Sequence, residues 1–177
     1  MNIPNLITFS RIAFIPIILV VYLYGNMAIS YWLAALLFII ASITDWLDGY
    51  LARKLNQTSD YGAFLDPVAD KLLVVCMLIL LTSAHTELLL PTILIIAREI
   101  VVLALREWMA GQGERDKVAV AFSGKLKTTV QMIAISALLV SDTAPALLWY
   151  LGYWLLMLSA ILGLWSMLRY FVKAGRA

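Results

Sequence analysis

The stretch from Asp45 to Asp70 organises the rest of this chain; it reads D-W-L-D-G-Y-L-A-R, then eight residues, then G-A-F-L-D-P-V-A-D. Its aspartates form two pairs, Asp45 with Asp48 and Asp66 with Asp70. Residues three or four apart share one face of a helix, so two neighbouring helices could direct all four carboxylates to one point. Four carboxylates at one point repel one another unless a cation binds between them, and such oxygen ligands suit Mg²⁺, Mn²⁺ or Ca²⁺. The stretch therefore predicts a divalent-metal site.

The composition of the chain is that of a membrane protein. Of its 177 residues, 63% are hydrophobic and only 14% are charged, and the mean hydropathy is +0.93. Soluble domains are about a quarter charged and about half apolar. An acid between long apolar segments costs about 2.5 kcal/mol or more inside a bilayer, so we expect the four aspartates to have a function.

Six apolar segments predict an all-α bundle of six transmembrane helices, because they average about 20 residues and so match the hydrocarbon core. A turn is predicted at Gly25-Asn26, a kink at Pro16, and the opening of the third span at Asp66-Pro67. No repeat or linker divides the chain, so residues 1–177 are predicted to form a single domain. The predicted elements are a short interfacial helix at 2–9 and spans at 11–24, 30–50, 66–83, 88–108, 121–140 and 145–170.

Positive charge is distributed unevenly between the segments that join the predicted spans. The segments 25–29, 83–90 and 141–145 contain no Lys or Arg, so all 13 basic residues lie in the alternate segments or within spans. The positive-inside rule then predicts that both termini are cytoplasmic. Both aspartate pairs would lie near the cytoplasmic interface, and His85, on an outer segment, is expected to be solvated.

The aspartate stretch can do chemistry on phosphate. Two divalent ions held by shared carboxylates neutralise phosphate charge and stabilise an in-line displacement at phosphorus. Arg53 lies one helical turn beyond Gly49 and could form charge-assisted bonds to phosphate oxygens. The alternative is that the acids only pair with nearby Arg and Lys at the membrane interface. That would explain two aspartates, but not four with glycines between them.

The same stretch resembles the signature of the CDP-alcohol phosphatidyltransferases, D-x-x-D-G-x-x-A-R-(x)8-G-x-x-x-D-x-x-x-D, without a departure. The resemblance implies two bound Mg²⁺ or Mn²⁺ ions, with Asp70 as both metal ligand and general base. The remaining metal ligands would be Asp45, Asp48 and Asp66. The residues implied to hold the CDP moiety of the donor are Gly49, Ala52, Arg53 and Gly62.

Four cations outside this stretch predict a binding site for a phosphorylated acceptor. Arg98 lies well inside the fourth span and must face the protein interior or a wet cavity. Arg106 is eight residues further on and rotated by about 80°, so both could border one pocket. Lys125 and Lys127 begin the fifth span. The alternative is that each arginine pairs with the glutamate after it and that the lysines meet anionic lipid head groups.

Segments spread over most of the chain resemble bacterial members of this family that use CDP-diacylglycerol as donor and sn-glycerol 3-phosphate as acceptor. They are N-I-P-N-L-I-T-F-S-R (2–11), G-A-F-L-D-P-V-A-D-K (62–71), I-A-R-E-I (96–100), L-R-E-W-M-A (105–110) and G-K-L-K-T-T (124–129). The resemblance implies release of CMP at the bacterial cytoplasmic membrane, contact with membrane lipids, and a homodimer. In this picture Asn5, Thr8 and Arg11 close over the site from the surface helix.

Other functions remain open at this point. A sister enzyme could use serine, inositol phosphate or phosphatidylglycerol as acceptor. The cations disfavour serine but do not distinguish inositol phosphate from glycerol phosphate. A cation transporter would carry its acids near the bilayer midplane, often within repeated halves, whereas these acids lie at one interface. A lipid-binding scaffold would need no general base, so it should tolerate Asp70→Asn. Nothing in the sequence indicates nucleic-acid binding.

Overall fold

A computed structural model describes the backbone of residues 3–25, 27–55, 60–112 and 122–174, and the side chains of 10–25, 29–44, 68–109, 111–112 and 126–172. Over these residues the chain is all-helical. Short 3-10 helices at Thr86–Leu88 and Ser141–Thr143 lie in the connections before the fourth and sixth helices. The long helices are α1 (Ile3–Tyr24), α2 (Met27–Leu55), α3 (Asp60–Ala84), α4 (Leu89–Gly111), α5 (Phe122–Leu139) and α6 (Ala146–Ala174).

Helix α1 is continuous from Ile3 to Tyr24 and passes through Pro16. The prediction of a separate short helix before the first span is therefore wrong. Pro4 falls in the first turn, where the missing N–H has no helical partner in any case, and no glycine follows it before Tyr24 to break the helix. Hydropathy marks the polar start of this segment, but a change in polarity does not by itself interrupt a helix.

The helices that carry the aspartates are longer than predicted. Helix α2 continues to Leu55, beyond the predicted end at residue 50, and α3 begins at Asp60, so the third helix does not open at Asp66-Pro67. Pro67 instead lies inside α3, where it cannot donate to the carbonyl four residues earlier. Both aspartate pairs thus lie within helices.

The turn between α1 and α2 is confirmed at Gly25. A Cβ added there would lie 2.4 Å from Ser30 Cβ and 2.5 Å from the Val21 carbonyl oxygen. No side chain fits so close an approach, so the turn depends on glycine. The rings of Tyr22 and Tyr31, whose centroids lie 4.7 Å apart, then pack across it.

The helices pack as hairpins around an apolar core. The most extensive contacts join α5 with α6 and α1 with α2, followed by α4 with α6, α1 with α3, and α2 with α5. Five fully buried side chains from five different helices form the centre of this core: Ile18, Phe38, Leu78, Ile135 and Leu156. Their close packing fixes the positions of the helices relative to one another.

Contacts between α5 and α6 establish that these two helices are antiparallel. Gly152 lies against Leu138, and the Ser159 hydroxyl lies 3.4 Å from Gln131 Oε1. One step further along α6, Gly163 lies against the Lys127 side chain. Helices α3 and α4 form a similar hairpin, with the Thr82 and Thr92 hydroxyls 2.9 Å apart.

The three connections α1–α2, α3–α4 and α5–α6 lie at the same end of the bundle. His85 Nε2 lies 3.1 Å from Asp142 Oδ1, and α2 contacts the 3-10 helix Ser141–Thr143. We call this end, together with the core centred on Phe38, the apolar half. The opposite end is the polar half. Every described Asp, Glu, Lys or Arg side chain that is buried or half-buried belongs to it: Arg11, Asp70, Lys71, Arg98, Glu99 and Lys127.

The surface of the bundle is apolar. Large side chains such as Leu147, Ile29 and Trp154 are 76%, 73% and 65% exposed. Among the described residues, the segments Thr86–Met109 and Ala146–Val172 are long and apolar enough to cross a membrane, and shorter apolar helices occur at 10–24, 29–44 and 126–139. The structure is therefore compatible with a membrane protein.

Candidate active site

The polar half contains a network of ion pairs centred on one carboxylate. Arg98 Nη1 donates to Glu99 Oε1 over 2.6 Å, and Lys127 Nζ donates to the same oxygen. Lys71 Nζ lies 3.2 Å from the other oxygen, Oε2. These four residues, from α3, α4 and α5, are called the Glu99 cluster. Its three cations are all paired with Glu99.

Burial makes the Glu99 cluster electrostatically strong. The side chains of Lys127, Arg98 and Glu99 are only 4%, 9% and 14% exposed, and that of Lys71 is 28% exposed. Charges removed from water interact more strongly than charges at the surface. Three cations against one carboxylate leave an excess of two positive charges, so the cluster can attract a further anion, and a phosphate group suits such donors.

Helix α6 supplies the wall against which the two most buried cations lie. Arg98 Nε donates to the Gly163 carbonyl oxygen over 3.2 Å. A Cβ at Gly163 would lie 3.5 Å from Arg98 Cδ and 3.6 Å from Lys127 Cε. Both cationic side chains therefore run along the α6 backbone at Gly163, beside each other, and a Cβ there would be in ordinary van der Waals contact with them.

Contacts between α5 and α6 also fix the backbone of Lys127. The Ser159 hydroxyl lies 3.5 Å from the Lys127 carbonyl oxygen and 3.4 Å from Gln131 Oε1. Both Gln131 and Ser159 are buried. The single hydroxyl proton of Ser159 is donated to one of these two oxygens at a time, so α6 is tied to the start of α5 without an additional charge.

The Glu99 cluster adjoins the aspartate stretch through helix α3. Lys71 follows Asp70 directly, and Asp70 is half-buried. Helices α2 and α3 are helical through all four aspartates, which is the condition for each pair to share a face. The side chains of Asp45, Asp48 and Asp66 lie outside the described residues.

The predicted metal site can be judged by its donors. Among the described side chains, no group of three or more His, Cys, Asp or Glu comes together; three of the four predicted ligands are not among them. Four carboxylates on two helical turns are the hard oxygen donors that Mg²⁺ and Mn²⁺ take. The chemistry of the donor set therefore fits the predicted metal ions.

The remaining predicted site residues divide into two groups. Arg11 is fully buried in α1, and Arg106 is exposed on α4, outside the ion pairs around Glu99. Arg106 does not join Arg98 in the described cluster, so its place in an acceptor pocket stays a prediction. The others have side chains outside the described residues: Asn5, Thr8, Gly49, Ala52, Arg53, Gly62 and Lys125.

Sequence reasoning missed several residues of this site. Lys71 and Gly163 gave no signal of their own, although Lys71 directly follows an aspartate of the motif. Arg98 does pair with Glu99, as the alternative interpretation expected. Lys127, by contrast, is buried and bound to the same glutamate, so it does not face lipid head groups.

Comparison with known proteins identifies the class to which this site belongs. The family model described as CDP-alcohol phosphatidyltransferase matches residues 1–165. The chain therefore belongs to the CDP-alcohol phosphatidyltransferase family.

Three of the most similar relatives are enzymes with the same name. The chain is 47% identical to the CDP-diacylglycerol--glycerol-3-phosphate 3-phosphatidyltransferase of Shigella flexneri serotype 5b and to that of Escherichia coli K12, over 99% of this chain and 96% of each relative. It is 48% identical to the enzyme of the same name from Salmonella choleraesuis, over 98% of this chain and 94% of the relative. The similarity thus extends over the full length.

Proposed function

We propose that this protein transfers the phosphatidyl group of CDP-diacylglycerol to sn-glycerol 3-phosphate, giving phosphatidylglycerophosphate and CMP. Family membership and identity of 47–48% to enzymes of that name support the reaction. The structural observation that carries it is the Glu99 cluster, a buried group with an excess of positive charge directly beside Asp70 in the chain. A phosphorylated acceptor needs such a site; an uncharged alcohol does not.

The aspartate stretch is proposed to hold the donor. Two Mg²⁺ or Mn²⁺ ions bound by Asp45, Asp48, Asp66 and Asp70 would neutralise the charge of the diphosphate. The backbone at Gly49 and Gly62 allows a ligand to approach closely, and Arg53 would donate to phosphate oxygens. Ala52 would complete the surface for the CDP moiety. Support for these roles comes from the family and from the helical spacing of the residues.

Asp70 is proposed to act as the general base. The acceptor's hydroxyl oxygen would attack the phosphorus that carries the diacylglycerol, and the bond from that phosphorus to the bridging oxygen would break. CMP would leave with that oxygen, and the hydroxyl proton would pass to Asp70. A hydroxyl has a pKa far above neutral pH, so a carboxylate within hydrogen-bond reach assists its attack.

Arg98 and Lys127 are proposed to bind the phosphate of the acceptor. Both are buried, both carry several N–H donors, and α6 holds them side by side. Arg106 and Lys125 remain predicted members of the same pocket. The cluster suits inositol phosphate as well as glycerol phosphate, so the choice between these acceptors rests on the relatives.

The six helices are proposed to span the bacterial cytoplasmic membrane with both termini in the cytoplasm. The connections in the apolar half contain no Lys or Arg, and the buried charges lie in the polar half. The positive-inside rule then puts the polar half at the cytoplasmic side, where soluble sn-glycerol 3-phosphate can reach it. A homodimer stays a prediction from the family.

The test is release of CMP by the purified protein in detergent, with CDP-diacylglycerol, Mg²⁺ and a panel of acceptors. The expected result is release with sn-glycerol 3-phosphate that a chelator abolishes and added Mg²⁺ or Mn²⁺ restores. Release only with serine, inositol phosphate or phosphatidylglycerol would overturn the acceptor. Absence of release with every acceptor, from folded protein, would overturn the enzyme.

A further inference from the structure

Glu99 uses both of its carboxylate oxygens to bridge cations from three helices. Oε1 accepts from Arg98 Nη1 at 2.6 Å and from Lys127 Nζ, while Oε2 lies 3.2 Å from Lys71 Nζ. The oxygens of a phosphate group would accept hydrogen bonds from the same donors. In the structure, therefore, the two cations proposed to bind the acceptor's phosphate are already occupied by an anion of the protein itself.

We propose that Glu99 is an internal anion that holds the acceptor's phosphate site while that site is empty, and that the acceptor binds by exchange with it. Arg98 and Lys127 transfer from the Glu99 carboxylate to the phosphate, and the carboxylate keeps Lys71 as its partner. This inference rests on the proposed function, since it assumes a phosphorylated acceptor. Glu99 is a positioning residue in this scheme and does not touch the reacting atoms.

The exchange brings the charges of the Glu99 cluster into balance. Before it, the Glu99 cluster carries three positive charges and one negative charge, which leaves an excess of two. After it, Glu99 with Lys71 is neutral, and Arg98 with Lys127 matches a doubly charged phosphate monoester. A phosphate diester, with one charge, would leave one cation uncompensated in a site that is more than nine-tenths buried. The site thus favours a terminal phosphate over a diester.

Lys71 has a defined role in the exchange. It is the most exposed of the three cations, and within the Glu99 cluster it contacts Oε2, not the oxygen that Arg98 and Lys127 share, so Glu99 can rotate away from Arg98 and Lys127 without losing it. Lys71 also follows Asp70 in the chain. The cation that retains Glu99 is therefore adjacent in the chain to the proposed base, at the end of the aspartate stretch.

The experiment measures anion binding directly, by thermal unfolding of the full chain in detergent with increasing inorganic phosphate or sn-glycerol 3-phosphate. Removing a competing anion raises the fraction of sites that are competent to bind. Glu99→Gln is therefore expected to unfold at a lower temperature without added anion and to recover with phosphate. Its apparent Kd for phosphate is expected to fall at least about fivefold, the lower end of typical coupling between sites.

The matched control is Glu107→Gln, an exposed glutamate on the same helix, with sodium chloride at equal ionic strength. This variant is expected to behave as the unmodified protein. If Glu99→Gln binds phosphate no more tightly than the unmodified protein, or if its unfolding temperature does not recover with phosphate, Glu99 only maintains structure and the exchange is wrong.

A second pair of variants keeps the test decisive if Glu99→Gln does not fold. Lys71→Met should leave Glu99 more firmly on Arg98 and Lys127, so the KM for the acceptor should rise while the KM for CDP-diacylglycerol stays unchanged. Lys71→Met combined with Glu99→Asp, whose shorter carboxylate reaches the two cations less well, should restore part of the acceptor KM. If the double variant is no better than Lys71→Met alone, Lys71 binds the phosphate itself and the exchange fails.

Failure of this inference is distinguishable from failure of the proposed function. Phosphate binding is read from unfolding and needs no turnover, whereas CMP release reports the transfer. Normal CMP release with sn-glycerol 3-phosphate, together with phosphate binding that Glu99→Gln does not tighten, would overturn only the exchange. CMP release with an unphosphorylated alcohol alone would overturn the acceptor as well.

Discussion

The two halves of this bundle bury opposite kinds of side chain. In the apolar half, Phe38, Leu78 and Leu138 are fully enclosed, and the helices approach closely enough that Gly152 has no room for a Cβ. In the polar half, the same helices enclose Arg98 and Lys127 instead. Each hairpin changes from one chemistry to the other along its length, so one set of helices supplies both a rigid frame and a charged site.

The difference indicates how the two tasks are divided. Apolar side chains that interlock fix the helices at one end, and that rigidity holds the charged side chains in position at the other end. Burying three cations against one carboxylate is unfavourable by itself. The polar half is therefore expected to contribute function at some cost in stability, and the apolar half the reverse.

The largest effect is expected from removing the proposed base in the polar half. Asp70→Asn should lower kcat by at least about 100-fold, because general-base assistance typically contributes that much or more. The unfolding temperature should change little by comparison. The control is Asp142→Asn, an exposed aspartate of the apolar half, which should retain its turnover. Near-normal turnover of Asp70→Asn would remove Asp70 as the base.

A smaller effect, on stability alone, is expected from crowding the apolar half. A Cβ at Gly152 would lie 2.8 Å from Leu138 Cγ and 3.3 Å from the Ala134 carbonyl oxygen. Overpacking of this kind costs about 1–3 kcal/mol, more than the roughly 1 kcal/mol that alanine gains over glycine in a helix. Gly152→Ala should therefore lower the unfolding temperature in detergent.

The matched substitution for Gly152→Ala is Gly163→Ala on the same helix. Its Cβ would have no heavy atom closer than 3.5 Å, which is ordinary contact, so this variant should be as stable as the unmodified protein or more stable. Equal destabilisation of both variants would contradict the distinction between a tightly packed half and a half with room beside its cations.

The smallest effect is expected at the far end of the apolar half. His85 is half-buried and lies 3.1 Å from Asp142, so the prediction that it is solvated is wrong. A partly exposed pair of this kind contributes at most about 1 kcal/mol. His85→Gln should therefore lower stability slightly and leave turnover unchanged; a marked loss of turnover would mean that the two halves are coupled.

The sequence predicted the parts of this molecule that depend on local pattern. Six apolar segments gave six helices, because hydropathy over about 20 residues is a strong signal, and the spacing of Asp45, Asp48, Asp66 and Asp70 identified the family. The start of α3 at Asp60 was not predicted, because hydropathy reports where apolar segments end and not where a helix ends.

The centre of the cation site could not be predicted for a different reason. Lys127 lies 28 residues from Glu99, and the Gly163 carbonyl lies 65 residues from Arg98. Such pairs exist only once three helices, α4, α5 and α6, have packed, and no local pattern encodes them. Arg98 could be identified as functional because a buried arginine in an apolar segment needs a partner, but its partners followed only from the tertiary structure.

The most direct test of the central claim, that the polar half receives the acceptor's phosphate, compares two Michaelis constants in Arg98→Ala. Arg98 is expected to contact the acceptor and not the donor, so the KM for sn-glycerol 3-phosphate should rise about tenfold or more, as for loss of one charged hydrogen bond. The KM for CDP-diacylglycerol should stay within about twofold. Arg169→Ala, an exposed arginine stacked on Trp165, is the control and should change neither constant. An equal rise in both constants for Arg98→Ala would contradict the claim.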